Sequence, residues 1–186
     1  SWQTGDFNGD GRSDLLHVRA NNGVNVFLSN GNGYYVNVPA PAPWGGYSNL
    51  GKWQLADVNA DGKSDLLHLA GPGTVYSWVS KGNGQFVVLT ANIGTSTDIG
   101  HWRVVDANGD GRTDLVQLGA TNLTIWRGNG DGQFLAPGTW QIIGSGNLAG
   151  PNTNFFPSDP NGDARTDFVY MAGDTISTLT IQNSPG

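Results

Sequence analysis

The sequence predicts an all-β protein built from four repeats, and two observations support this prediction. An acidic loop of one design recurs four times, with loop starts 51, 49 and 53 residues apart, so the repeat unit is about 50 residues long. Short apolar runs bounded by Gly and Asn follow the loops, which is typical of strands, and no window shows sustained helical periodicity. The predicted repeats are residues 1–51, 52–100, 101–153 and 154–186.

Each acidic loop has nine residues with oxygen-bearing side chains at positions 1, 3, 5 and 9. The first loop reads Asp6-Phe-Asn-Gly-Asp-Gly-Arg-Ser-Asp14. These oxygens can converge on one hard cation, and Gly at position 6 permits the sharp turn that lets the position-7 carbonyl join them. Of the 15 acidic residues, all are Asp and 12 occupy loop positions 1, 5 and 9. A merely solvated surface would mix and scatter Asp and Glu, so we favour calcium loops over metal-free Asx turns.

The loops do not match an EF-hand. An EF-hand needs a bidentate Glu at position 12 and a helix on each side. The residues at position 12 are His17, His68, Gln117 and Tyr170. The ligand set and the flanking sequence therefore both exclude the EF-hand.

Each repeat has the strand pattern of one four-stranded blade of a β-propeller. An aromatic residue stands four residues before each loop: Trp2, Trp53, Trp102 and Phe155. After the strand that follows the loop comes a second one, as at Val24–Phe27, which ends in a Gly-rich turn. A last strand then opens on Tyr34, Phe86 or Phe134. The fourth repeat reaches Gly186 where the others begin this last strand, so we expect its blade to be incomplete.

Together, the loop, the preceding aromatic residue and the Gly-rich turn resemble the FG-GAP/VCBS repeats of integrin-like β-propellers, which include propeller lectins of fungi and bacteria. The resemblance covers essentially the whole chain and implies up to four Ca²⁺ ions. The implied ligands, with the carbonyl at position 7, are Asp6, Asn8, Asp10, Arg12 and Asp14; Asp57, Asn59, Asp61, Lys63 and Asp65; Asp106, Asn108, Asp110, Arg112 and Asp114; and Asp159, Asn161, Asp163, Arg165 and Asp167. Four ions would change the formal net charge from −6 to +2.

The fourth loop departs from the pattern because Ala164 replaces the position-6 Gly. If this position requires a positive φ, the substitution costs on the order of 1 kcal/mol. We therefore expect the fourth calcium site to be the weakest. We also expect the ligand carboxylates to have lowered pKa values in the folded protein.

The composition favours a secreted binding protein over an enzyme. Loops of this kind fill where calcium is about millimolar, which favours an extracellular setting. The chain has no Cys or Glu, most Asp residues belong to the loops, and the only His residues are His17, His68 and His101. His17 and His68 occupy equivalent positions, which favours a packing role. We expect no catalytic residue and no membrane span, since no apolar run approaches about 20 residues.

Two of the seven Trp residues are the leading candidates for carbohydrate contact. Five recur in register (Trp2, Trp53, Trp78, Trp102 and Trp126), and we interpret them as blade packing. Trp44 and Trp140 do not recur and lie in or near variable segments between blades, where an aromatic face can stack on a sugar. Covering a blade edge is the open alternative. We add Tyr47 and His101 as polar neighbours in the same class of segment.

These features predict a secreted, calcium-stabilised lectin whose sugar sites lie between blades. The expected partners are glycans or glycoproteins and not nucleic acid, and a homo-oligomer that completes the propeller is possible. An integrin-like protein-binding or adhesion module, or a non-catalytic appendage of a larger secreted enzyme or toxin, is the alternative. All of these would share the loops, so the loops alone do not separate them.

Overall fold

A computed structural model describes residues 2–19, 24–39, 53–71, 73–93, 102–118, 122–143, 154–172 and 175–181. Within these ranges the regular structure consists of 15 strands and no helix. The strands are β1 Trp2–Gly5, β2 Asp14–Val18, β3 Val24–Ser29, β4 Tyr35–Pro39, β5 Trp53–Ala56, β6 Asp65–Gly71, β7 Thr74–Ser80, β8 Phe86–Asn92, β9 Trp102–Val105, β10 Asp114–Leu118, β11 Asn122–Trp126, β12 Gly138–Ile143, β13 Asn154–Ser158, β14 Asp167–Ala172 and β15 Thr175–Ile181.

Consecutive strands pair antiparallel into blades, as the repeat pattern predicts. Blade 1 is β1-β2-β3-β4, blade 2 is β5-β6-β7-β8, blade 3 is β9-β10-β11-β12, and blade 4 contains β13-β14-β15. The register repeats between blades: Trp2 lies opposite His17, and Trp53 lies opposite His68. The predicted β-propeller architecture of repeated blades is confirmed.

The last strand of blade 3 begins later than the sequence pattern predicts. Phe134 forms only an isolated bridge with Gly128, and β12 starts at Gly138. Pro137 lies directly before this strand. Proline lacks the backbone N–H that a strand ladder uses and restricts the residue before it, so pairing resumes after Pro137. The prediction of a strand opening at Phe134 is therefore wrong.

The outer side of blade 4 is partly covered by blade 3. The first part of β12 pairs with β11, and its last two residues pair with β15, with Ile142 opposite Ile181 and Ile143 opposite Thr180. Blades 3 and 4 consequently share one seven-stranded sheet. In the described part of the chain, blade 4 has three strands of its own, as expected.

The hydrophobic core lies between the blades. One cluster joins blades 1 and 2, a second joins blades 2 and 3, and a third joins blades 3 and 4. An interior blade is covered on both faces, so adjacent residues such as Leu66 and Leu67 are both buried although their side chains point in opposite directions. This explains why the strands after the loops read as continuous apolar runs.

The first strands of blades 2 and 3 are in contact, and the acidic loops lie at one end of the strands. β5 and β9 are in contact, and Gln54 Nε2 donates a hydrogen bond to the Trp102 carbonyl at 3.3 Å. Because neighbouring strands are antiparallel, the acidic loops and the Gly-rich turns lie at the same end of each blade. The last residue of β4 and the first residue of β5, which flank segment 40–52, lie at the other end of the blades.

Candidate metal loops and inter-blade segments

The position-1 carboxylate organises each loop through backbone hydrogen bonds. Asp6 Oδ1 accepts from the N–H groups of Gly9 at 2.7 Å and Asp10 at 3.1 Å, and Asp6 Oδ2 accepts from Gly11 at 2.7 Å. Partial desolvation raises the pKa of Asp6, but these N–H groups together outweigh it, so the pKa lies below its ordinary value. Asp106 makes the same three contacts in the third loop. The loops are thus Asx turns folded around one carboxylate.

Positions 3 and 5 are joined side chain to side chain. Asn8 Nδ2 donates to Asp10 Oδ2 at 2.7 Å, and the Asp10 N–H donates to Asn8 Oδ1 at 3.1 Å. The same side-chain pair recurs in the other three loops. These contacts place the oxygens of positions 1, 3 and 5 on one turn of the chain.

The position-7 side chain forms an ion pair that sequence reasoning missed. Arg12 contacts the Asp10 carboxylate at 2.5 Å, and Lys63 Nζ contacts Asp61 Oδ2 at 2.6 Å. Desolvation raises the pKa of Asp61, but hydrogen bonds and charge from Lys63 together outweigh it, leaving a net decrease. Because both cations lie two residues after an acidic position, their spacing could have suggested the pairing. A bound calcium ion would compete with this cation for the position-5 carboxylate.

The position-9 carboxylate is buried and directed at the blade itself. Asp14 Oδ2 accepts from the Phe7 N–H at 2.9 Å, and Asp14 Oδ1 accepts from the Ser29 N–H at 2.8 Å. Asp65 and Asp114 make the equivalent pairs of bonds and are fully buried. Burial raises the pKa of both to about 6, and the position-5 and position-1 carboxylates add to the increase. Without a bound ion these carboxylates therefore have raised pKa values, and the lowered values expected of calcium ligands stay a prediction.

Asp167 in the fourth loop lacks one of these bonds. Its Oδ1 accepts from the Ile181 N–H at 2.9 Å, but its buried Oδ2 has no hydrogen-bond partner among the described residues. In the other loops this partner is the backbone N–H of position 2, and position 2 of the fourth loop is Pro160. Because proline replaces a residue with a backbone N–H at position 2, one buried carboxylate oxygen of Asp167 has no hydrogen-bond donor.

Two loops contain an alanine with left-handed backbone geometry. Ala164 has φ 65°, where the first three loops have Gly, so the positive φ expected at position 6 is confirmed. Ala60 at position 4 of the second loop has φ 57°, where Gly9 has φ 78°. This second strained position was missed, because the other loops all place Gly there and only position 6 was considered. Both residues carry a cost of about 1–2 kcal/mol.

The structure gathers positions 1, 3 and 5, whereas position 9 is held by the strands. Within the ranges described above, no group of three His, Cys, Asp or Glu side chains is close enough to hold a metal ion. The donor chemistry nevertheless fits calcium, because every predicted side-chain ligand offers oxygen and the loop is compact. Calcium binding by these residues remains a prediction.

The predicted sugar contacts fall mainly outside the described residues. Trp44, Tyr47 and His101 lie there, and Trp140 belongs to β12 opposite Leu123, with its side chain also outside. Segments 40–52 and 94–101 join the last strand of one blade to the first strand of the next. The strand ends that flank these two segments lie away from the acidic loops.

The recurring aromatic residues pack between blades, with one exception. Four are buried: Trp53, Trp78, Trp102 and Trp126. Trp2 stacks on His17 with ring centroids 4.1 Å apart and is 58% exposed, so it packs within its own blade and not against a second described blade. The equivalent His68 is buried and stacks on Trp53 at 4.2 Å, which supports the packing role predicted for these histidines.

Four repeated antiparallel blades, each with an acidic loop after its first strand, define a β-propeller repeat protein. The FG-GAP-like repeat model matches residues 6–68, 57–117 and 106–170. Each match begins at one acidic loop and ends in the strand that follows the next acidic loop. The chain belongs to the FG-GAP-like repeat family. No protein with a curated description matches it. The described part of the chain contains no helix long and apolar enough to cross a membrane.

Solved structures share this fold at low sequence identity. An Agrocybe aegerita lectin, studied for its specific recognition of non-reducing terminal N-acetylglucosamine, matches with TM-score 0.76 and 23% identity over 97% of this chain and 49% of the lectin chain. The Photorhabdus luminescens Tc holotoxin pore matches with TM-score 0.73 and 18% identity over 97% of this chain and 9% of that chain. A TcdB2-TccC3 crystal structure matches with TM-score 0.55 and 17% identity over 94% and 9%. The chain thus spans about half of the lectin and about a tenth of the toxin chains.

Proposed function

We propose that this chain is a calcium-stabilised carbohydrate-binding module that works outside the cell and binds glycans between its blades. The observation that carries this proposal is the similarity of nearly the whole chain, 97%, to a lectin that recognises terminal N-acetylglucosamine. Fold similarity alone is a weak guide to function, so the proposal also depends on the placement of aromatic residues.

The Trp residues divide into two groups that support a binding role. Four recurring Trp side chains are buried between blades and account for packing. Trp44 and Trp140 belong to no recurring position, and packing in register does not require them. Aromatic faces near a groove with polar neighbours are typical of small-ligand sites. The proposed sugar contacts are therefore Trp44 and Trp140, with Tyr47 and His101 supplying polar groups.

Calcium has a structural role in this proposal. The strand ends that flank segments 40–52 and 94–101 lie away from the acidic loops. An ion held by a loop would stabilise the turn by neutralising its clustered carboxylates, and its effect on sugar would be indirect. No catalytic step is proposed, and the chain is expected to act by binding alone.

Two observations keep other binding roles as alternatives. The Tc toxin component matches the same 97% of the chain at nearly the same TM-score, which favours a non-catalytic appendage of a larger toxin as the second candidate. The FG-GAP-like repeats are compatible with an adhesion module that binds a protein. Both alternatives predict no affinity for isolated glycans.

The test is a glycan array followed by titration calorimetry on the best binder, with and without calcium. We expect glycans with terminal N-acetylglucosamine among the binders. Trp44→Ala and Trp140→Ala should each weaken binding by about 1–3 kcal/mol, on the scale of aromatic stacking, which is roughly 5- to 150-fold in Kd. Tyr34→Ala is the matched control, because Tyr34 is an exposed aromatic residue at the loop end of blade 1.

Absence of binding to any glycan would contradict the lectin proposal and favour the protein-binding alternatives. Binding that survives both Trp substitutions would place the site elsewhere. Thermal melting of each variant distinguishes these results from unfolding, since loss of a packing residue would lower the melting temperature while the folded fraction still bound sugar.

A further inference from the structure

Two polar side chains meet at one backbone carbonyl where blades 2 and 3 touch. β5 and β9, the first strands of these blades, are in contact, and each lies at the edge of its sheet. Gln54 Nε2 of β5 donates to the Trp102 carbonyl at 3.3 Å, and Arg103 Nη1 of β9 donates to the same oxygen at 2.8 Å. Because both nitrogens bond one oxygen, the amide of Gln54 and the guanidinium of Arg103 lie close together.

Arg103 is the one charged residue at its position in the repeat. This position directly follows the aromatic residue that stands before each acidic loop. The equivalent residues are Gln3, Gln54 and Phe156. Two blades have a neutral amide here and one has an aromatic ring, so a blade does not need a cation at this position in order to fold. The positive charge of Arg103 therefore calls for a reason other than blade packing.

The guanidinium of Arg103 is partly withdrawn from water and has no carboxylate against it in the described part of the chain. Arg103 is half-buried, and this burial lowers the pKa of its guanidinium. Both ion pairs of the described ranges lie within the acidic loops. The hydrogen bond that the Arg103 side chain makes to these residues is the one to the Trp102 carbonyl. A guanidinium has five N–H donors, so most of them remain for a ligand.

This combination of groups suits a carboxylate. Withdrawing a charge from water costs free energy that an opposite charge offsets, and buried arginines are normally paired for this reason. The planar fork of a guanidinium matches a carboxylate through two parallel N–H···O bonds. Gln54 has a second amide N–H beside the one that bonds the Trp102 carbonyl, and it can donate to the same anion. One carboxylate would thus satisfy the donors of both side chains.

The position of Arg103 along its strand also favours an anion. Arg103 is the second residue of β9, and the third acidic loop begins at Asp106, directly after the last residue of that strand. Three residues of extended chain span about 10 Å, roughly one Debye length at 0.1 M salt. An anion at Arg103 is therefore largely screened from the clustered carboxylates of that loop.

We propose that Arg103 and Gln54 form a site between blades 2 and 3 that binds the carboxylate of an acidic sugar. The choice of a sugar rests on the proposed function, because a protein that binds glycans between its blades meets the carboxylate as part of a glycan. In this site Arg103 supplies the charge and the bidentate fork. Gln54 supplies a neutral donor from the neighbouring blade, so the ligand contacts both sides of the junction.

The test is a nuclear magnetic resonance titration of the nitrogen-15-labelled 186-residue chain in calcium-containing buffer. The probes are glucuronate, glucose and acetate. We expect glucuronate to shift the Arg103 Nε–H resonance in a saturable way. Glucose has the same ring without the carboxylate and should bind at least about tenfold more weakly, the scale of a hydrogen bond to a charged group. Acetate has the carboxylate without the ring and should also bind more weakly than glucuronate.

Two variants of Arg103 separate its charge from its geometry. Arg103→Gln introduces the residue that blades 1 and 2 have at this position, so it should fold normally and weaken glucuronate binding at least about tenfold. Arg103→Lys keeps the charge without the fork and should lie between the two. Arg127→Gln is the matched control, because Arg127 is exposed directly after β11 and its loss changes the net charge equally. Circular dichroism of each variant confirms that it is folded.

Several outcomes would overturn this proposal. Glucuronate that binds no more tightly than glucose, or an equal loss in Arg103→Gln and Arg127→Gln, would remove the site. Acetate that binds as tightly as glucuronate would remove the sugar. Glucuronate binding that survives Arg103→Gln and disappears in chelator would assign the carboxylate to loop-bound calcium. The glycan array separates this inference from the lectin proposal: if neutral glycans bind and acidic ones gain nothing, this inference alone fails, and if no glycan binds, both fail.

Discussion

Restoring the hydrogen bond that Asp167 lacks should stabilise the protein. Pro160→Ala supplies a backbone N–H at the position where Phe7, Val58 and Ala107 donate to their buried carboxylates at 2.9–3.1 Å. A hydrogen bond to a charged group contributes about 1.5–3 kcal/mol. Replacing proline costs about 0.4–1 kcal/mol, because the unfolded chain gains freedom. The expected net gain is about 1 kcal/mol.

The assay is thermal unfolding followed by near-ultraviolet circular dichroism in excess chelator. For a chain of this size, about 1 kcal/mol corresponds to an increase of about 2–4 °C in Tm. Pro137→Ala measures the entropic cost alone, since Pro137 is exposed, and it should lower Tm slightly. Ala107→Pro is the reciprocal change: it removes the donor to buried Asp114 and should destabilise the protein.

The reasoning would be refuted if Pro160→Ala lowered Tm as much as Pro137→Ala does. That result would mean that Asp167 Oδ2 gains nothing from a donor at position 2. Hydrogen exchange adds a local readout, because the Ile181 amide bonds the same carboxylate and should become better protected with the rest of blade 4.

Two further predictions concern the loops without metal. Ala60→Gly and Ala164→Gly should each raise the free energy of unfolding by about 0.5–1 kcal/mol, because relief of left-handed strain exceeds the entropic cost of glycine. Chemical denaturation measures this change. Ala136→Gly is the control and should destabilise the protein, since position 136 has no positive φ. The pKa values of Asp65 and Asp114 are raised from 3.8 to about 6, so their stabilising contribution is complete below pH 3.8 and is lost as pH rises through about 6. In chelator Tm should therefore fall as pH rises from about 4.5 to about 7.5.

Each of these predictions has a contrary outcome. Equal destabilisation by glycine at positions 60, 136 and 164 would show that the positive φ angles carry no cost. A Tm that stays flat or rises between about pH 4.5 and 7.5 in chelator would contradict the raised pKa values of Asp65 and Asp114, because the lowered pKa values of Asp6 and Asp61 change stability mainly at lower pH. Asp65→Asn tests the assignment, because it should flatten the pH dependence only if the buried carboxylates cause it.

The repeated blade could be predicted because its signals are local. Apolar runs such as Leu66–Leu69, the aromatic residue before each loop and the Gly-rich turns all lie within one repeat, and the predicted strands formed there. The late start of β12 depends on Pro137. This proline is a local signal, but the strand was predicted to open at Phe134 because the other repeats have an aromatic residue there. Ala60 was missed in the same way, since Gly at position 4 of the other three loops indicated a positive φ and only position 6 was considered.

Features that depend on distant contacts could not be predicted. The position-9 carboxylate is buried because the end of the third strand, for instance Ser29, reaches back 15 residues to bond it. Trp2 has the same local sequence context as buried Trp53 but is 58% exposed, because no described blade packs against its face of blade 1. The sugar-binding candidates come from variable segments without a repeat to compare, and their contacts remain predictions.

Calcium stoichiometry tests the central claim that the acidic loops are metal sites which stabilise the blades. Equilibrium dialysis at millimolar calcium, combined with melting curves in calcium and in chelator, should show up to four ions per chain and a Tm that falls by many degrees when they are removed. Asp110→Ala, at an exposed position 5, should remove one ion and leave the others. No bound calcium, together with identical melting curves in calcium and in chelator, would contradict the account.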